Sequence, residues 1–504
     1  MATIPAPAPA AAHAAALFDP DAVRPGAAAN VIAGRAVAGE GAEIPVLRPS
    51  DGQLLAPLRL ASPAQLDEAV ADAARAQQAS GWGTMEPRGR MKLLRRWADL
   101  IEADVATLAP LEAVGSSRTL AEVLAWDLPY TAECIRFFAE FADKHGGEVG
   151  ATTPDKLGFT LTQPYGVVGA IAPWNLPLVM AAWKLGPALA AGNAVVLKPS
   201  ELTPFSAVRL AELAMAAGIP AGLFNVVQGH GHDIGEGLVR HDAVAKVSFT
   251  GSTRTGQAIM RACAETGPKP ATLELGGKSP QLVFADADLA RASALVARAI
   301  TLNSGQVCVA GSRLLVHERA HDEVVERIAA AFRAHRHGPT WGSETTLGPI
   351  ISEPQLAQID GIVQRARAAG ATALTGGNRA AAPQSGAYYE PTLLAHVAPD
   401  SEAVQGEIFG PVLTVQTFAD EDEAFALANA TRYGLAAGVH TTDLSRALRA
   451  VRQLEAGTVW VNRYGRSDDF ILPTGGFRQS GVGKDLGREA YLAACKVKTA
   501  LIQL

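Results

Sequence analysis

The chain has 504 residues, of which 48% are hydrophobic and 19% charged, and its formal net charge is −6. A chain of this length forms roughly two to four domains, and the mild acidity argues against nucleic acid or an anionic membrane as the main partner. The four cysteines are too few and too scattered for a disulfide framework, which favours reduced thiols in the cytoplasm.

The sequence contains no uninterrupted apolar stretch of about 18 residues, so we expect no transmembrane helix. Residues 1–17 are rich in alanine and proline and lack the basic start of a secretory signal. We therefore expect residues 1–30 to be a disordered tail. His230 and His232, like His335 and His337, have no cysteine nearby, and no metal site is expected.

Residues 61–145 carry apolar side chains at helical spacing. Ser62 is predicted to cap the first helix, with Pro63 in its first turn. Two further amphipathic helices are predicted over residues 91–111 and 120–142.

From Gly166 onward, short apolar runs alternate with helical segments, which is typical of a doubly wound parallel sheet. Ligands of such sheets bind at the carboxyl ends of the strands. The predicted strands are 167–172, 194–197, 224–227, 247–249 and 271–275. The predicted helices between them are 177–191, 204–217, 233–240 and 253–264.

A second α/β series follows, and the cut between the two domains is placed at Gly276 and Gly277. Residues 491–504 end in an alternating run, which predicts an edge strand that needs a partner. The strands predicted in the second series are 281–284, 313–316, 413–418 and 458–461, with helices at 289–301 and 322–334.

Two residues have the chemistry needed for covalent acyl transfer. Cys308 follows a polar, glycine-containing turn, where backbone amides would favour its thiolate, although most unpaired cysteines are inert core residues. Glu274 is a charge inside an apolar strand, so we expect a raised pKa suited to a general base. The alternative is a structural role for Glu274, either as an N-cap or in an ion pair with Lys278.

Polar residues also follow the other predicted strands of the first sheet. Asn175 follows the first strand, where its carboxamide would donate to a developing oxyanion. Lys198 and Glu201 follow the second strand, at the position of an acidic group that binds a nucleotide ribose. Residues 251–256 open a helix whose N-terminus would hold a phosphate, although plain turns explain these glycines equally well.

Seven motifs in the same order make the chain from Val31 onward resemble the aldehyde dehydrogenase superfamily. They are Pro173-Trp174-Asn175, Lys198-Pro199-Ser200-Glu201, Phe249-Thr250-Gly251-Ser252, Glu274-Leu275-Gly276-Gly277-Lys278, Gly305-Gln306-Val307-Cys308, Glu407-Ile408-Phe409-Gly410-Pro411 and Gly475-Gly476-Phe477.

The resemblance implies NAD-dependent oxidation of an aldehyde to the carboxylic acid. Cys308 would be the nucleophile, Asn175 and the Cys308 N–H the oxyanion hole, and Glu274 the base that activates water against a thioester. Lys198 is grouped with these catalytic residues. The implied cofactor contacts are Ala172, Pro173, Trp174, Lys198, Ser200, Glu201, Gly231, Phe249, Gly251, Ser252, Leu275, Gly276, Glu407 and Phe409.

The resemblance also implies a Rossmann-type cofactor domain, an α/β catalytic domain and a small β oligomerisation element. These map to residues 31–146 with 164–276, to 277–484, and to 147–163 with 485–504. A homodimer or homotetramer follows. Glu201 would repel a 2′-phosphate, which favours NAD over NADP, and Glu274 favours hydrolysis over transfer to coenzyme A.

The predicted substrate pocket is less aromatic at its throat than in many relatives, because Leu176 and Thr474 replace rings. This favours a medium-sized aldehyde. Asp127 and the Asp468–Asp469 pair would attract an ω-amine, as in γ-glutamylamino aldehydes, whereas Arg463 and Arg466 would hold the carboxylate of a semialdehyde. The other proposed pocket residues are Tyr130, Trp183, Val307 and Val309. A thiol esterase and a non-catalytic binding protein are the remaining alternatives.

Overall fold

The structure is a computed structural model that describes residues 18–26, 29–381, 385–465 and 470–504. No helix within these ranges is both long and apolar enough to cross a membrane. The tail predicted for residues 1–30 is partly wrong. Pro20–Ala22 form a helical turn, and Asp21 makes an ion pair of 2.6 Å with Arg48. Residues 1–17 lie outside the described ranges.

The first part of the chain forms two antiparallel strand pairs, which the sequence did not predict, and then helices. Helix α1 starts as predicted: Ser62 Oγ accepts from the Gln65 N–H (3.2 Å), and Gln65 accepts from the Ser62 N–H (3.1 Å). The elements are β1 (Asn30–Ile32), β2 (Arg35–Val37), β3 (Glu43–Leu47), β4 (Leu54–Arg59), α1 (Pro63–Ala79), α2 (Pro87–Ala103), α3 (Val105–Gly115), α4 (Leu120–Glu122) and α5 (Leu128–Phe141).

Two predicted helices are interrupted. The helix predicted over residues 91–111 breaks at Asp104, whose N–H closes α2 on the Leu100 carbonyl (3.0 Å) before α3 begins. The helix predicted over residues 120–142 contains a wide π-type turn at Val123–Asp127. Pro129, at the start of α5, has no N–H to donate to the preceding turn, so regular α-helical bonding cannot run through this point.

The predicted doubly wound sheet is confirmed. Strands β9, β8, β7, β10 and β11 are parallel neighbours, and β2 and β1 extend one edge of an eight-stranded sheet. The elements of this part are β5 (Val149–Gly150), β6 (Lys156–Pro164), β7 (Val167–Ile171), α6 (Pro177–Ala190), β8 (Ala194–Lys198), α7 (Phe205–Ala216), β9 (Phe224–Val226), α8 (Glu236–Arg240), β10 (Val244–Thr250), α9 (Thr253–Glu265) and β11 (Ala271–Glu274).

The second α/β unit is a seven-stranded sheet in the order β14-β15-β16-β13-β12-β18-β19. The first sheet ends its parallel run at Glu274 and the second begins at Pro280, so Gly276 and Gly277 lie between the two sheets. The elements are β12 (Pro280–Val283), α10 (Leu289–Thr301), β13 (Arg313–His317), α11 (His321–Arg333), α12 (Glu353–Ala368), β14 (Thr372–Thr375), β15 (Thr392–Ala395), α13 (Glu402–Gln405), β16 (Val412–Phe418), α14 (Glu421–Asn429), β17 (Tyr433–Gly434), β18 (Ala436–His440), α15 (Leu444–Gln453) and β19 (Thr458–Val461).

The end of the chain departs from the predicted boundary at residue 484. Strand β21 pairs antiparallel with β11 in the first sheet, and Leu486 and Tyr491 pack in the core of the first domain. Asp485 forms an ion pair of 2.5 Å with Lys184 on α6. The chain therefore returns to the first domain before its last strand. These elements are β20 (Phe477–Arg478), β21 (Gly481–Val482), α16 (Gly487–Ala493) and β22 (Cys495–Gln503).

A separate three-stranded sheet in the order β22-β6-β5 joins the two segments that were assigned to the oligomerisation element. Strand β22 pairs antiparallel with β6 over its whole length, from Cys495 opposite Pro164 to Gln503 opposite Lys156. Val497 and Leu501 on β22 are both 66% exposed. Helix α16 is not part of this sheet, because its apolar side packs against α5 and α6.

Candidate active site

A cavity of about 630 Å³ opens where the strands of the first sheet end and the second domain begins. The loops that follow the parallel strands lie at one edge of the sheet, as the strand pattern predicts. Cys308 and Asn175 line the same cavity. The predicted cofactor residues that also line it are Pro173, Trp174, Gly251, Ser252, Leu275, Gly276, Glu407 and Phe409.

The loop that presents Cys308 has an unusual backbone. Asn303, Ser304 and Gly305 follow α10 with φ angles of 48°, 53° and 72°, all in the left-handed region. A Cβ at Gly305 would lie 2.2 Å from the Gly410 carbonyl oxygen, so only glycine fits there. Cys308 itself is partly exposed at the cavity wall, unlike the three buried cysteines. This exposure argues against the alternative that Cys308 is an inert core residue.

Asn175 is fixed against the Cys308 loop. Its Nδ2 donates to the Gln306 carbonyl oxygen (2.9 Å), two residues before Cys308. A carboxamide carries two N–H donors, so this bond leaves one for an oxygen bound beside Cys308. The Asn175 side chain is only 5% exposed, so such a donor acts with little competition from solvent.

Glu274 is the last residue of β11 and is buried. A Cβ at Gly475 would lie 2.6 Å from Glu274 Oε1, so the late glycine pair leaves room for this carboxylate. Burial lowers the pKa of Lys484 while Glu274 opposes that shift, and the Lys484 Nζ donates to the Gly475 carbonyl (2.6 Å). Lys484 is a neighbour that the motifs did not reveal.

The alternative ion pair between Glu274 and Lys278 is not present in the part of the chain that the structure describes. Burial and the Arg313 charge lower the pKa of Lys278 to about 7, and the carboxylate that opposes this shift is Glu407. Glu274 is therefore not paired with Lys278, and it is not among the residues that line the cavity with Cys308.

Glu407 and two aromatic rings border the predicted nicotinamide end of the cavity. The Gly277 N–H donates to Glu407 Oε1 (3.0 Å), and a Cβ at Gly276 would lie 2.2 Å from Glu407 Oε2. Burial raises the pKa of the Glu407 carboxyl to about 7. Trp174 and Phe409 meet edge to face, with ring centroids 5.2 Å apart.

The predicted adenosine end lies beyond the cavity wall, at the carboxyl end of β8. Lys198 Nζ contacts Glu201 Oε2 (3.1 Å), and His230 Nδ1 lies 3.4 Å from Glu201 Oε1. Burial opposes ionisation of Glu201, but the Lys198 charge and the hydrogen bonds to the carboxylate together outweigh burial and lower the pKa of the carboxyl. Gly231 follows His230 directly and begins a short helical turn.

The remaining predicted cofactor residues support these groups. The Ala172 N–H donates to the Lys198 carbonyl (3.1 Å), and Ser200 Oγ accepts from the Leu202 N–H (3.2 Å). Phe249 lies on β10, and a Cβ at Gly251 would come within 2.4 Å of its ring. Ser252 caps α9 by accepting from the Thr255 N–H (3.2 Å).

The predicted substrate residues fall into separate groups. Leu176 lines the cavity with Met180, and Trp183 lies on the same face of α6. Val307 and Val309 flank Cys308, and the Tyr464 hydroxyl donates to the Val309 carbonyl (3.3 Å). Thr474 pairs by its backbone with Asp485. Asp468, with Arg466 and Asp469, lies outside the described residues.

The expectation of a less aromatic throat stays a prediction, because Tyr130, Trp126 and Phe470 form an aromatic group that is not among the residues lining the cavity. The Tyr130 ring packs in a tilted arrangement against Phe470 and Trp126, with ring centroids 4.5 and 4.6 Å apart. Phe470 was missed because it stands outside the motif positions where relatives carry rings.

Asp127 does not fit its predicted role as an amine receptor. Its side chain is 1% exposed, and the Arg118 guanidinium donates to both of its oxygens (2.8 and 2.9 Å). Arg118 also contacts Glu122 (3.2 Å). Because both carboxylate oxygens are already engaged, Asp127 serves as a structural counter-ion.

Replacing Asp127 with alanine is expected to destabilise the fold by about 3–5 kcal/mol, because Arg118 would stay buried without its main counter-ion. Urea unfolding measures this loss. The matched control is Asp99→Ala, which removes an exposed partner of Arg136 and should cost less than about 1 kcal/mol. Equal stability of the two variants, with a selective loss of aminoaldehyde affinity in Asp127→Ala, would restore the amine-receptor role.

Comparison with known proteins agrees with this geometry. Residues 36–500 match the model of the aldehyde dehydrogenase family. An aldehyde dehydrogenase of Emericella nidulans is 42% identical over 467 residues, covering 92% of this chain and 93% of the relative.

Two solved structures show the same fold. The indole-3-acetaldehyde dehydrogenase AldA of P. syringae, solved in complex with NAD+ and IAA, is 39% identical with a TM-score of 0.94, covering 96% of this chain and 98% of that one. The gamma-glutamyl-gamma-aminobutyraldehyde dehydrogenase of Burkholderia cenocepacia is 42% identical with a TM-score of 0.92, covering 98% and 99%. The protein belongs to the aldehyde dehydrogenase family and is an oxidoreductase.

Proposed function

We propose that this enzyme oxidises a medium-sized aldehyde to its carboxylic acid through a thioester on Cys308. The observation that carries the proposal is that Cys308 and the Asn175 carboxamide line one cavity whose wall continues to the helix N-terminus at Ser252. NAD is the cofactor of this family site. The cavity volume falls within the range of small-molecule sites, and Gly276 leaves the space beside Glu407 that a side chain would fill.

The residues that would hold NAD divide along its length. Glu201 and Lys198 would hold the adenosine ribose, the α9 N-terminus capped by Ser252 the pyrophosphate, and Glu407 the nicotinamide ribose. When bound, NAD supplies the hydride acceptor for the oxidation. The protein's own contribution is to attach the aldehyde, to stabilise its oxygen and to release the acid.

Attachment of the aldehyde is assigned to Cys308 and Asn175. The Cys308 thiolate adds to the aldehyde carbon, and the C=O electron pair moves onto the oxygen. The second Asn175 N–H and the Cys308 backbone N–H donate to that oxygen. Loss of the hydride restores the C=O bond and leaves a thioester on Cys308.

Release of the acid is assigned to Glu274. Its carboxylate accepts a proton from a water molecule, whose oxygen adds to the thioester carbon. Collapse of that adduct breaks the C–S bond, frees the Cys308 thiolate and releases the carboxylic acid. The position of Glu274 at the end of β11, beside the open backbone of Gly475, supports this assignment.

The substrate proposed here carries an apolar or aromatic body. Leu176, Met180 and Trp183 form one face of α6, and the first two line the cavity with Cys308. The engagement of Asp127 by Arg118 weakens the case for an ω-amine, although Asp468 and Asp469 keep that alternative open. For a semialdehyde substrate, Arg463 is the residue within the described ranges that would bind the carboxylate.

NADH absorbance with four aldehydes tests the proposal: indole-3-acetaldehyde, hexanal, 4-aminobutanal and succinic semialdehyde. We expect the first two to have the highest kcat/KM. A preference for 4-aminobutanal would point to the acidic pair, and a preference for succinic semialdehyde to Arg463. No turnover with any aldehyde and either dinucleotide would overturn the proposed function.

We expect Glu201→Gln to raise kcat/KM for NADP by about tenfold while changing that for NAD far less, because the carboxylate repels a 2′-phosphate. Steady-state kinetics with each dinucleotide measures the change. Glu236→Gln, which removes an exposed charge paired with Arg240, is the control. Equal effects of both variants would mean that only net charge matters.

We also propose that the enzyme is a cytoplasmic homodimer or homotetramer. The exposed Val497 and Leu501 and the free edge of β22 are the features that favour a second copy as partner. Sedimentation velocity should give at least twice the 52.3 kDa chain mass. Val497→Asp with Leu501→Asp should shift the protein toward monomer, and a native monomer would contradict the proposal.

A further inference from the structure

We infer that Asn303, held by Ser117, is a positioning residue for the oxyanion hole of this enzyme. It holds the backbone on both sides of the hole, at Asn175 and at Gln306, without touching the substrate. The inference rests on the proposed function for the identity of the reaction. It adds two residues, from distant parts of the chain, to the machinery of that site.

The Asn303 carboxamide joins the two loops that form the hole. Its Nδ2 donates to the Asn175 carbonyl oxygen (2.9 Å) and to the Gln306 carbonyl oxygen (3.3 Å). The side chain is 3% exposed, so these bonds have little competition from water. Asn175 lies after β7 of the first domain and Gln306 lies in the second domain, so one side chain bridges the domains at the reacting atoms.

Ser117 determines which way this carboxamide faces. The Ser117 hydroxyl donates to Asn303 Oδ1 (2.9 Å), which leaves Nδ2 facing the two carbonyls. The reverse orientation would place Oδ1 against two carbonyl oxygens, and acceptors repel one another. The Asn303 carboxamide therefore has one favourable orientation, and the hydrogen bond from the Ser117 hydroxyl stabilises it.

The Gln306 carbonyl connects Asn303 to the two proposed oxyanion donors. It accepts from Asn303 Nδ2 and also from Asn175 Nδ2 (2.9 Å). If the Gln306–Val307 peptide rotates, the Asn175 carboxamide loses its anchor, and the adjoining peptide that carries the Cys308 N–H is no longer held in position. Both proposed donors to the oxyanion thus depend on the peptide that Asn303 holds.

Ser117 is itself anchored by buried charges. Its neighbour Arg118 binds both oxygens of Asp127 and contacts Glu122, while Thr119 and Glu122 form a reciprocal cap at the start of α4. These contacts fix the short segment that carries the Ser117 hydroxyl. The buried Arg118–Asp127 pair therefore supports the position of Ser117. Ser117 belongs to the first domain and lies far from Cys308 in the sequence.

The chain offers a matched control for a purely structural role. Ser304 follows Asn303 directly and is 2% exposed, and its hydroxyl donates to the Gly348 carbonyl (2.7 Å), away from the oxyanion donors. Ser117 is 1% exposed, and each serine makes one buried hydrogen bond to a distant segment. Ser304→Ala and Ser117→Ala should therefore cost similar stability but differ in their effect on the chemistry.

The experiment compares Ser117→Ala, Asn303→Ala and Ser304→Ala in four measurements. These are the kcat and KM for aldehyde oxidation, the cofactor-free hydrolysis of p-nitrophenyl acetate, the rate of Cys308 alkylation by iodoacetamide, and thermal unfolding. Ester hydrolysis passes through an oxyanion on the same thiol but needs no NAD. Alkylation forms no oxyanion and reports only the exposure and ionisation of the thiol.

We expect Ser117→Ala to lower kcat and the ester hydrolysis rate by about tenfold, and Asn303→Ala by about 100-fold. KM, NAD binding and the alkylation rate should change by less than about twofold. Ser304→Ala should leave both reactions within about twofold of the native rate while lowering the unfolding temperature as much as Ser117→Ala.

The inference is overturned if Ser117→Ala keeps native rates in both reactions, or if Ser304→Ala loses as much activity as Ser117→Ala. It is also overturned if the alkylation rate falls in parallel with the two reactions. If Asn303→Ala fails to fold, Ser117→Ala alone decides. If the native protein forms no NADH but hydrolyses the ester, the proposed function fails while the ester assay still judges the inference. A native protein inactive in both assays contradicts both.

Discussion

The Cys308→Ala variant should form NADH from any aldehyde at least about 10⁴-fold more slowly than the native enzyme. Without the sulfur no thiohemiacetal forms, and Asn175 then has no anionic oxygen to stabilise. NADH absorbance measures the loss, and dinucleotide binding by fluorescence should persist, because Cys308 is not among the residues proposed to hold NAD. Cys263→Ala, which removes a buried thiol on α9, is the control and should stay active.

Residual turnover above this limit in Cys308→Ala would mean that the aldehyde reacts as its hydrate, without a covalent step. In that case an aldehyde-derived adduct should also be absent from the native protein by mass spectrometry. Loss of activity in Cys263→Ala would show instead that the fold near α9 is sensitive to any cavity, and the thiol assignment would fall.

The Glu274→Gln variant should release about one NADH per active site in a rapid burst and then turn over about 10²–10³-fold more slowly than the native enzyme. Glutamine keeps the size of the side chain but cannot accept a proton from water, so the thioester accumulates. Stopped-flow NADH absorbance separates the two phases. Added hydroxylamine, which needs no general base, should discharge the thioester and restore turnover.

If the NADH burst of Glu274→Gln slows as much as its steady-state turnover, Glu274 acts in a step before oxidation. It would then be the base that ionises Cys308. The rate of iodoacetamide alkylation distinguishes these roles. An unchanged alkylation rate supports the hydrolytic role, whereas a large fall supports activation of the thiol.

The parallel sheet and the loops at its edge were predictable because each depends on local pattern. Short apolar runs identify buried strands, and polar residues at the strand ends meet at one edge whatever the rest of the chain does. Asn175 and Ser252, which follow strands, were therefore brought to one cavity as expected, and Cys308 reaches the same cavity from the loop after α10. The seven motifs added roles that the pattern alone left open.

Asp127 and Asn303 show where this reasoning ends. An aspartate near aromatic residues has the same sequence signal whether it faces a ligand or a buried arginine, and only the structure shows Arg118 against both of its oxygens. Asn303 stands two residues before a recognised motif, but its partner Ser117 is 186 residues away. Pairings across such distances leave no local periodicity to detect.

The path of the last residues was missed for a related reason. The alternating pattern of β22 was visible, but nothing in the sequence between β19 and β21 indicates that the chain crosses back to the first sheet. The breaks in the early helices were also missed, because Asp104 and Pro129 lie within otherwise regular apolar spacing. Strong periodicity hides single-residue interruptions.

The return of the chain to β11 has a consequence for how the protein is made. During synthesis the strand that ends in Glu274 emerges before the second domain, but its outer neighbour, β21, leaves the ribosome only after that domain has been synthesised. Among the residues that the structure describes, the first domain has no other strand to pair with the outer edge of β11. That edge therefore stays unpaired while the second domain is synthesised. A stall in translation within the second domain would therefore leave an exposed strand edge, and a nascent chain open to pairing with its neighbours on the same messenger.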